Sequence, residues 1–267
     1  MKKRANDLSG SQWTKYSISI WSDIKKTNEE NKLKHPAMFP EMLVNRLISI
    51  FTREEEKNVL DPFMGSGSTL VAAKNLDKYG IGFELNQDYI ELAKMRLSQQ
   101  SLIGNPGYQI FNENALSLLD HIEQNSVDIC ITSPPYWDIL KQKRTADYKE
   151  IRNYGNEFGD LGLIKDYQEF LLSLSKVFES VLEVLKPDKY CIVNVMDIRK
   201  KDKFYPLHSD LAEIMNKIGF IYDDLIIWDR RHEYNNLRSL GYPYVFRLNR
   251  IHEYLLIFKK PATKKVY

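Results

Sequence analysis

The sequence predicts an α/β fold in which helices cover both faces of a mostly parallel, Rossmann-like sheet. Short runs rich in β-branched and aromatic residues alternate along the chain with amphipathic stretches of helical spacing. Residues 166–185 show this spacing clearly, with apolar side chains every three or four positions up to Pro187. The chain has 267 residues, no internal repeat and no obvious linker, so residues 1–267 are expected to form one domain.

The predicted elements follow one another in alternating order. The strands are 58–61, 79–85, 108–112, 127–132, 189–195, 220–228 and 252–259, and the helices are 40–51, 68–77, 87–99, 166–185 and 206–218. Two long connections, 137–165 and 229–250, fit neither pattern. Long irregular connections in compact domains are usually functional, so both are predicted to be substrate loops.

The composition limits the ligands and the cellular location that can be expected for this chain. Hydrophobic residues make up 43% and charged residues 28% of the chain, and the formal net charge is only +2. Any nucleic-acid surface must therefore come from local clusters of basic residues. The two cysteines lack metal-ligand spacing, so no metal site is expected. The basic N-terminus is not followed by an apolar run, and no apolar stretch reaches the roughly 18 residues of a membrane span. A cytoplasmic protein is expected.

A glycine turn follows the first predicted strand. Gly65 and Gly67 allow the backbone to approach a ligand closely, and Ser68 or Thr69 is placed to cap the next helix. A phosphate-binding loop would carry a lysine after Gly67, and a dinucleotide site would carry Gly or Ala at Leu70. Neither nucleotide fingerprint is present, so the turn is expected to hold another ligand.

Two polar residues follow the next two strands. Glu84 lies where an acid accepts hydrogen bonds from both hydroxyls of a ribose, and the alternative is a solvated acid at a strand end. Asn114 and Ala115 lie where an adenine amino group is recognised, although Asn114 also suits a helix N-cap. The two roles of Asn114 are compatible.

The fourth strand leads into Ser133-Pro134-Pro135-Tyr136. Consecutive prolines fix the backbone and remove two N–H donors, leaving carbonyl groups on a rigid turn. Ser133 Oγ and the Pro134 carbonyl are then placed to accept hydrogen bonds from an amino group, and Tyr136 offers a face for base stacking. The alternative is a rigid turn without chemistry.

These motifs together resemble the amino-methylating DNA methyltransferases. The resemblance rests on 61–67 (Asp-Pro-Phe-Met-Gly-Ser-Gly) and 132–136 (Thr-Ser-Pro-Pro-Tyr), with further similarity from 34 to 260. It implies a seven-stranded sheet whose last strand is antiparallel, and S-adenosylmethionine as the cofactor. The cofactor-binding residues that we predict are His35, Pro36, Phe39, Asp61, Phe63, Gly65, Ser66, Gly67, Ser68, Thr69, Glu84, Leu85, Asn114 and Ala115.

In that family, Ser-Pro-Pro-Tyr is associated mainly with methylation of cytosine N4, and Asp or Asn at the first position with adenine N6. The resemblance therefore favours cytosine N4. Adenine-N6 methylation, methylation of RNA or of protein glutamine, and a non-catalytic nucleic-acid-binding module are the alternatives. The family also implies double-stranded DNA with a flipped target base as the substrate, and a cognate restriction endonuclease as a partner. Many small family members have the two motifs in the reverse order, and no long recognition domain follows Lys260.

Basic residues cluster in two places after the catalytic motif. Residues 229–250 hold five arginines and two acids, interleaved with tyrosine and asparagine. A second cluster, 199–203, follows the fifth strand at the edge where α/β proteins bind ligands. The predicted DNA contacts are Arg199, Lys200, Lys201, Arg230, Arg231, Arg238 and Arg247.

Overall fold

The computed structural model describes residues 4–33, 38–99, 107–137, 161–233, 240, 243–245 and 247–262. Its strands are β1 (Ile20–Trp21), β2 (Asn58–Asp61), β3 (Tyr79–Phe83), β4 (Tyr108–Phe111), β5 (Val127–Thr132), β6 (Leu185–Val195), β7 (Ile198–Lys200), β8 (Lys203–Tyr205), β9 (Ile221–Asp229) and β10 (His252–Lys259). Its α-helices are α1 (Gly10–Tyr16), α2 (Asn28–Lys32), α3 (Glu41–Phe51), α4 (Ser68–Asn75), α5 (Gln87–Gln99), α6 (Leu118–His121), α7 (Tyr167–Val184) and α8 (Leu207–Lys217).

The main sheet has the strand order β1-β9-β10-β6-β5-β2-β3-β4, and β10 is antiparallel to both of its neighbours. The other pairings in this sheet are parallel. The predicted α/β class and the antiparallel last strand are therefore confirmed. The predicted number of seven strands is wrong by one, because β1 adds a two-residue edge strand beside β9. Two residues are too few to produce a periodic signal in the sequence.

Alternation along the parallel strands separates two hydrophobic layers. Val59, Ile129 and Ile131 pack on the face that α3 and α4 cover, whereas Leu60 and Cys130 pack on the face of α6, α7 and α8. Successive side chains of a strand point to opposite faces, so strands covered on both sides are apolar throughout. Helix α5 packs against α4 through a third cluster that includes Leu70, Val71, Ile90 and Ala93.

The predicted boundaries hold within a few residues except at the start of β6. That strand begins at Leu185, directly after α7, instead of at residue 189. Pro187 lies in an irregular stretch of the pairing with β5, between the partners Val127↔Leu185 and Ile129↔Tyr190. Proline is tolerated in a sheet at such an irregularity because no ladder hydrogen bond is required there. No helix of the described residues is both long and apolar enough to cross a membrane.

Candidate functional site

The glycine turn and the proline turn meet at the carboxyl edge of the sheet. From β2 the chain proceeds outward to β3 and β4, then returns to β5 on the other side of β2. The strand order therefore changes direction between β2 and β5, and such switch points are where open α/β sheets bind ligands. The loop after β2 and the turn after β5 form the two walls of the site.

Asp61 links the two walls of the site by hydrogen bonds. Its side chain is completely buried, and its carboxylate accepts hydrogen bonds of 2.6 Å from Thr69 Oγ1 and 2.6 Å from Thr132 Oγ1. The Phe63 N–H donates a third bond at 3.0 Å. Burial raises the pKa of Asp61 to about 6, and the three hydrogen bonds oppose that rise. Asp61 thus shapes the site from below and presents no surface to a ligand.

Glycine is required at two positions of the loop. Gly65 and Gly67 have positive φ angles of 52° and 79°, where side chains with a Cβ are strained. A Cβ on Gly67 would also lie 2.8 Å from Ala93 Cβ in α5. Gly67 itself is the N-cap of α4, so the prediction that Ser68 or Thr69 caps this helix is wrong. The Thr69 hydroxyl is already committed to Asp61.

Arg96 stabilises the glycine loop by hydrogen bonds, although it was not among the predicted site residues. One guanidinium nitrogen donates to the Ser66 carbonyl at 2.6 Å and lies 3.2 Å from the hydroxyls of Ser66 and Ser68. The second pairs with Glu41 at 2.7 Å, and the arginine side chain is only 6% exposed. Its position in the last turn of α5 carries no motif, so only the tertiary structure reveals this role.

Glu84 lies at the end of β3, directly opposite the glycine turn. Its carboxylate accepts one N–H from Gly65 and one from Asn86, each at 2.8 Å. Burial is the main cause that raises the pKa of Glu84 to about 7. A carboxylate has about four acceptor positions, so these two bonds leave capacity for two hydroxyl donors. The carbonyl groups of Glu84 and Leu85 each accept a 3.0 Å bond from the Asn112 amide, which fixes this loop.

The predicted cofactor residues fall into three groups. Those with accessible surface at the edge are Phe63, Gly65, Glu84, Leu85 and Asn114. Those that are buried in the walls of the site are Phe39, Asp61, Ser66, Gly67, Ser68, Thr69 and Ala115. Their contact with a cofactor stays a prediction. His35 and Pro36 lie outside the described residues.

Asn114 has the capping role that its sequence position suggested. Its side chain accepts a 2.9 Å hydrogen bond from the Leu116 N–H, at the start of a 3₁₀ turn over Ala115–Ser117. The amide nitrogen of a capping asparagine is not used by the cap, so base recognition at Asn114 stays a prediction.

The proline turn is backed by a polar cluster that joins three strands. Tyr136 donates its hydroxyl to Glu253 Oε2 at 2.9 Å, and Asn194 Nδ2 lies 2.9 Å from the Tyr136 oxygen and 2.5 Å from the same Glu253 oxygen. Ser133 Oγ lies 3.2 Å from the Tyr136 oxygen and 3.3 Å from the Asn194 carbonyl. Ser133 and Pro135 keep accessible surface, whereas Pro134 is buried and Tyr136 is 9% exposed. The predicted stacking face of Tyr136 is therefore mostly covered in this conformation.

Arg230 was predicted to contact DNA, but in the structure its guanidinium forms ion pairs within the protein. Its guanidinium is ion-paired with the buried Glu253 and with Glu233, and it lies 4.8 Å over the Trp228 ring. A cation engaged in this way by two acids offers little to a phosphate. In this structure Arg230 belongs to the cluster behind the proline turn, and its contact with DNA stays a prediction.

The remaining predicted DNA contacts are more accessible. Lys201 is at the tip of the β7–β8 hairpin, Arg231 is 74% exposed while paired with Asp229, and Arg247 is exposed. Lys200 Nζ lies 4.0 Å from the ring of Trp137, the residue after Tyr136, and Arg199 lies 5.7 Å over Phe204. Arg238 lies outside the described residues, as do 138–160 and most of 234–246 in the two predicted substrate loops. Among the described residues, no group of three His, Cys, Asp or Glu side chains is arranged to hold a metal ion.

Comparisons with known proteins identify the family. A DNA methylase family model for N6 and N4 methyltransferases matches residues 1–95 and 127–267. Similar curated proteins include the Type II methyltransferase M.BglII of Bacillus subtilis, 29% identical over 53% of this chain and 37% of that protein. The Type II methyltransferase M.MjaI of Methanocaldococcus jannaschii is 31% identical over 55% of this chain and 54% of its own length. The chain thus spans about half or less of the length of these relatives.

A solved structure of low sequence identity shows the same architecture. A SAM-dependent O-methyltransferase from Thermotoga maritima aligns with a TM-score of 0.50 at 12% identity, over 88% of this chain and 70% of that one. A putative DNA modification methylase from Thermus thermophilus, complexed with S-adenosyl-L-methionine, is 26% identical over 57% of this chain and 55% of that one, with a TM-score of 0.40. The chain belongs to the N6/N4 DNA methylase family and has the fold of methyltransferases that use S-adenosylmethionine, the predicted cofactor.

Proposed function

We propose that this protein transfers a methyl group from S-adenosylmethionine to an exocyclic amino nitrogen of a base in DNA, with cytosine N4 as the preferred target. The observation that carries the proposal is the position of Ser133. Ser133 keeps accessible surface beside a rigid Pro-Pro turn, and Asp61 joins that turn to the glycine loop through Thr132 and Thr69. An amine acceptor and a cofactor loop are thereby held at one sheet edge.

The residues at the glycine loop fit the adenosyl part of the cofactor. Glu84 retains acceptor capacity for the two ribose hydroxyls, and the positive φ of Gly65 brings backbone close to that carboxylate. Asn114 has accessible surface just after β4, where its amide suits an adenine edge. The sulfonium of the bound cofactor supplies an electrophilic methyl group, so positioning by the protein provides much of the rate.

Ser133 acts on the nucleophile. The lone pair of an aromatic amine is delocalised into the ring, so the nitrogen attacks poorly until its hydrogens are held out of the ring plane. Ser133 Oγ and the Pro134 carbonyl are the acceptors that we assign to this task. They need no covalent intermediate with the protein. The amine nitrogen would take the methyl group directly from the cofactor, whose sulfur would leave as a neutral thioether, and the extra proton on nitrogen would be lost to solvent.

Serine at the first position of the proline turn supports cytosine N4 over adenine N6, by the association within the family. The proposal is tested by mass spectrometry of nucleosides from DNA incubated with the protein and S-adenosylmethionine. N4-methyldeoxycytidine is expected. N6-methyldeoxyadenosine would overturn the base assignment and keep the reaction. Unmodified DNA would contradict the function and direct attention to RNA, protein glutamine or simple binding.

The β7–β8 hairpin supports DNA as the substrate. Arg199 and Arg250 lie 5.7 and 4.8 Å from the same Phe204 ring, which is 41% exposed, and within the described residues neither has an ion-pair partner. Burial, and next the charge of Arg199, lower the pKa of Arg250. An anion placed between two such arginines relieves their mutual repulsion, so we assign this pair to the DNA backbone.

We expect the double variant Arg199→Gln/Arg250→Gln to weaken binding of duplex DNA and to lower the slope of log affinity against log salt by about 2, one for each lost phosphate contact. Cofactor affinity should not change. Fluorescence anisotropy of a labelled duplex at several salt concentrations measures the slope. Lys176→Gln, an exposed position on α7, is the matched control for lost charge. An unchanged slope in the double variant would remove this pair from the DNA surface.

We also propose a biological setting. The curated relatives named above are Type II methyltransferases, which suggests that this protein modifies prokaryotic or phage DNA in the cytoplasm and protects it from a cognate restriction endonuclease. The test is to locate the methylated site in treated plasmid DNA and to challenge that plasmid with endonucleases of the same specificity. Cleavage as complete as in untreated plasmid would contradict protection.

A further inference from the structure

We propose that Glu253, in the last strand, is a positioning residue that keeps Ser133 as a hydrogen-bond acceptor toward the target amino group. The inference rests on the proposed function and extends it to a residue behind the site. Glu253 is 4% exposed, and its two oxygens have different tasks. One is ion-paired with Arg230, and the other accepts hydrogen bonds from Tyr136 and Asn194.

A carboxylate can only accept hydrogen bonds, so every polar group that faces it must donate. Tyr136 therefore directs its hydroxyl hydrogen to Glu253, and Asn194 directs its amide NH₂ to the same oxygen. The amide orientation has a visible cost, because Asn194 Oδ1 is buried and has no hydrogen-bond partner among the described residues. The cluster keeps this orientation because a flipped amide would place oxygen against the Glu253 oxygen.

The direction of these bonds decides what Ser133 can do. The Tyr136 hydrogen is engaged by Glu253, so the Tyr136 oxygen can only accept from Ser133, at 3.2 Å. A second inward partner of Ser133 is the Asn194 carbonyl, at 3.3 Å, which is also an acceptor. The serine hydrogen is thus drawn into the protein by either acceptor. Asn194 Nδ2 also lies 3.4 Å from Ser133 Oγ, but its two hydrogens have nearer acceptors in Glu253 and Tyr136, so the lone pairs of Ser133 Oγ remain for the amino hydrogens of the base.

The substitution Glu253→Gln changes the direction of these hydrogen bonds and conserves the size of the side chain. A glutamine amide can donate to the Tyr136 oxygen, which frees the tyrosine hydrogen to turn toward Ser133 and occupy one of its lone pairs. We expect kcat to fall by about tenfold to thirtyfold, in the range found when outer partners of reacting groups are lost. The affinity for S-adenosylmethionine and the KM for DNA should stay at the wild-type values.

The second variant separates positioning from packing. Tyr136→Phe keeps the ring and removes the hydrogen that turns toward Ser133, so it should lower kcat by only about threefold. For the same reason, the double variant Glu253→Gln/Tyr136→Phe should recover to the level of Tyr136→Phe alone. A purely structural defect at Glu253 would not be rescued by a further deletion in the same cluster.

Steady-state methylation kinetics, cofactor calorimetry and thermal melts of the three variants and of Glu233→Gln provide the test. Glu233 is the second acidic partner of Arg230, whereas the hydrogen bonds from Tyr136 and Asn194 go to Glu253, so the Glu233 variant should keep the wild-type kcat. Rescue by Tyr136→Phe supports the inference. Independent, multiplying losses overturn it, and so does wild-type activity of Glu253→Gln. If Glu253→Gln does not fold, a large loss in Tyr136→Phe overturns it by itself. If the wild-type protein methylates no DNA, the proposed function fails and the inference with it.

Discussion

Replacing Ser133 by alanine is expected to lower the turnover of DNA methylation by about a hundredfold, which is the effect of removing one preorganised hydrogen-bonding group from an active site. The substitution deletes the acceptor that holds the amino hydrogens out of plane. It should leave the fold intact, because Ser133 is only partly buried and its contacts with Tyr136 and Asn194 are longer than 3 Å. Single-turnover rates with saturating cofactor and DNA measure the chemical step directly.

A matched substitution separates this effect from general disturbance of the edge. Ser117→Ala removes a hydroxyl of similar exposure from the 3₁₀ turn, where it bonds to Glu113 and to the Asn114 carbonyl. It should leave the single-turnover rate near the wild-type value. If Ser133→Ala retains the wild-type rate, Ser133 is not an amine acceptor and the role of the proline turn must be reassigned.

Replacing Glu84 by alanine should weaken binding of S-adenosylmethionine by about 3 kcal/mol, roughly a 150-fold increase in Kd, because two charge-assisted hydrogen bonds to the ribose are lost. Glu84 also receives the N–H groups of Gly65 and Asn86, so part of the loss reflects a less ordered glycine loop. Isothermal titration calorimetry measures the change. An unchanged Kd would show that the ribose lies elsewhere.

The pKa of Glu84 adds a pH dependence to this result. Burial raises that pKa to about 7, so the carboxyl is half-protonated near neutral pH. Ribose hydroxyls donate to the ionised form, so binding favours loss of the proton, and affinity should decrease as pH falls through 7. The expected loss between pH 8 and pH 6 is about tenfold. Glu84→Gln, which cannot ionise, serves as the control. Any dependence left in that variant arises from other groups, and an identical profile would exclude Glu84 as the source.

Local sequence was sufficient for most of the long elements and for the two turns that follow β2 and β5. Some features depend on the residue type at single positions, because the backbone or the chemistry requires that type there. They are the glycines with positive φ, the acid after β3 and the Ser-Pro-Pro-Tyr turn. Periodicity of 2.0 and 3.6 residues located most long strands and helices within a few residues, because burial of one face or of both faces imposes it. The short edge strand β1 and the start of β6 were missed, because two residues have no period and Pro187 was taken as a stop.

The charged residues were harder to place, since a charge in a sequence does not reveal its partner. Arg230 stood among the arginines assigned to DNA, yet the pairing of β9 with β10 brings it to Glu253. Arg96 carried no motif, although it hydrogen-bonds to the glycine loop. Arg250 was counted only as one arginine of the cluster 229–250, and the structure shows that it lies over the same Phe204 ring as Arg199. Whether each of these arginines forms ion pairs inside the protein or lies at its surface depends on contacts with residues that are 20 or more positions away in the sequence.

The sequence by itself determined that the chain forms a parallel α/β sheet with a glycine turn and a proline turn, because those features follow from local backbone preferences and from hydrophobic periodicity. Only the tertiary structure decided that Asp61 is a buried link between the two turns, and that Glu253 lies behind Tyr136. The physical reason is that direct hydrogen bonds form only at about 3 Å between donor and acceptor, and the order of strands across the sheet brings these groups together.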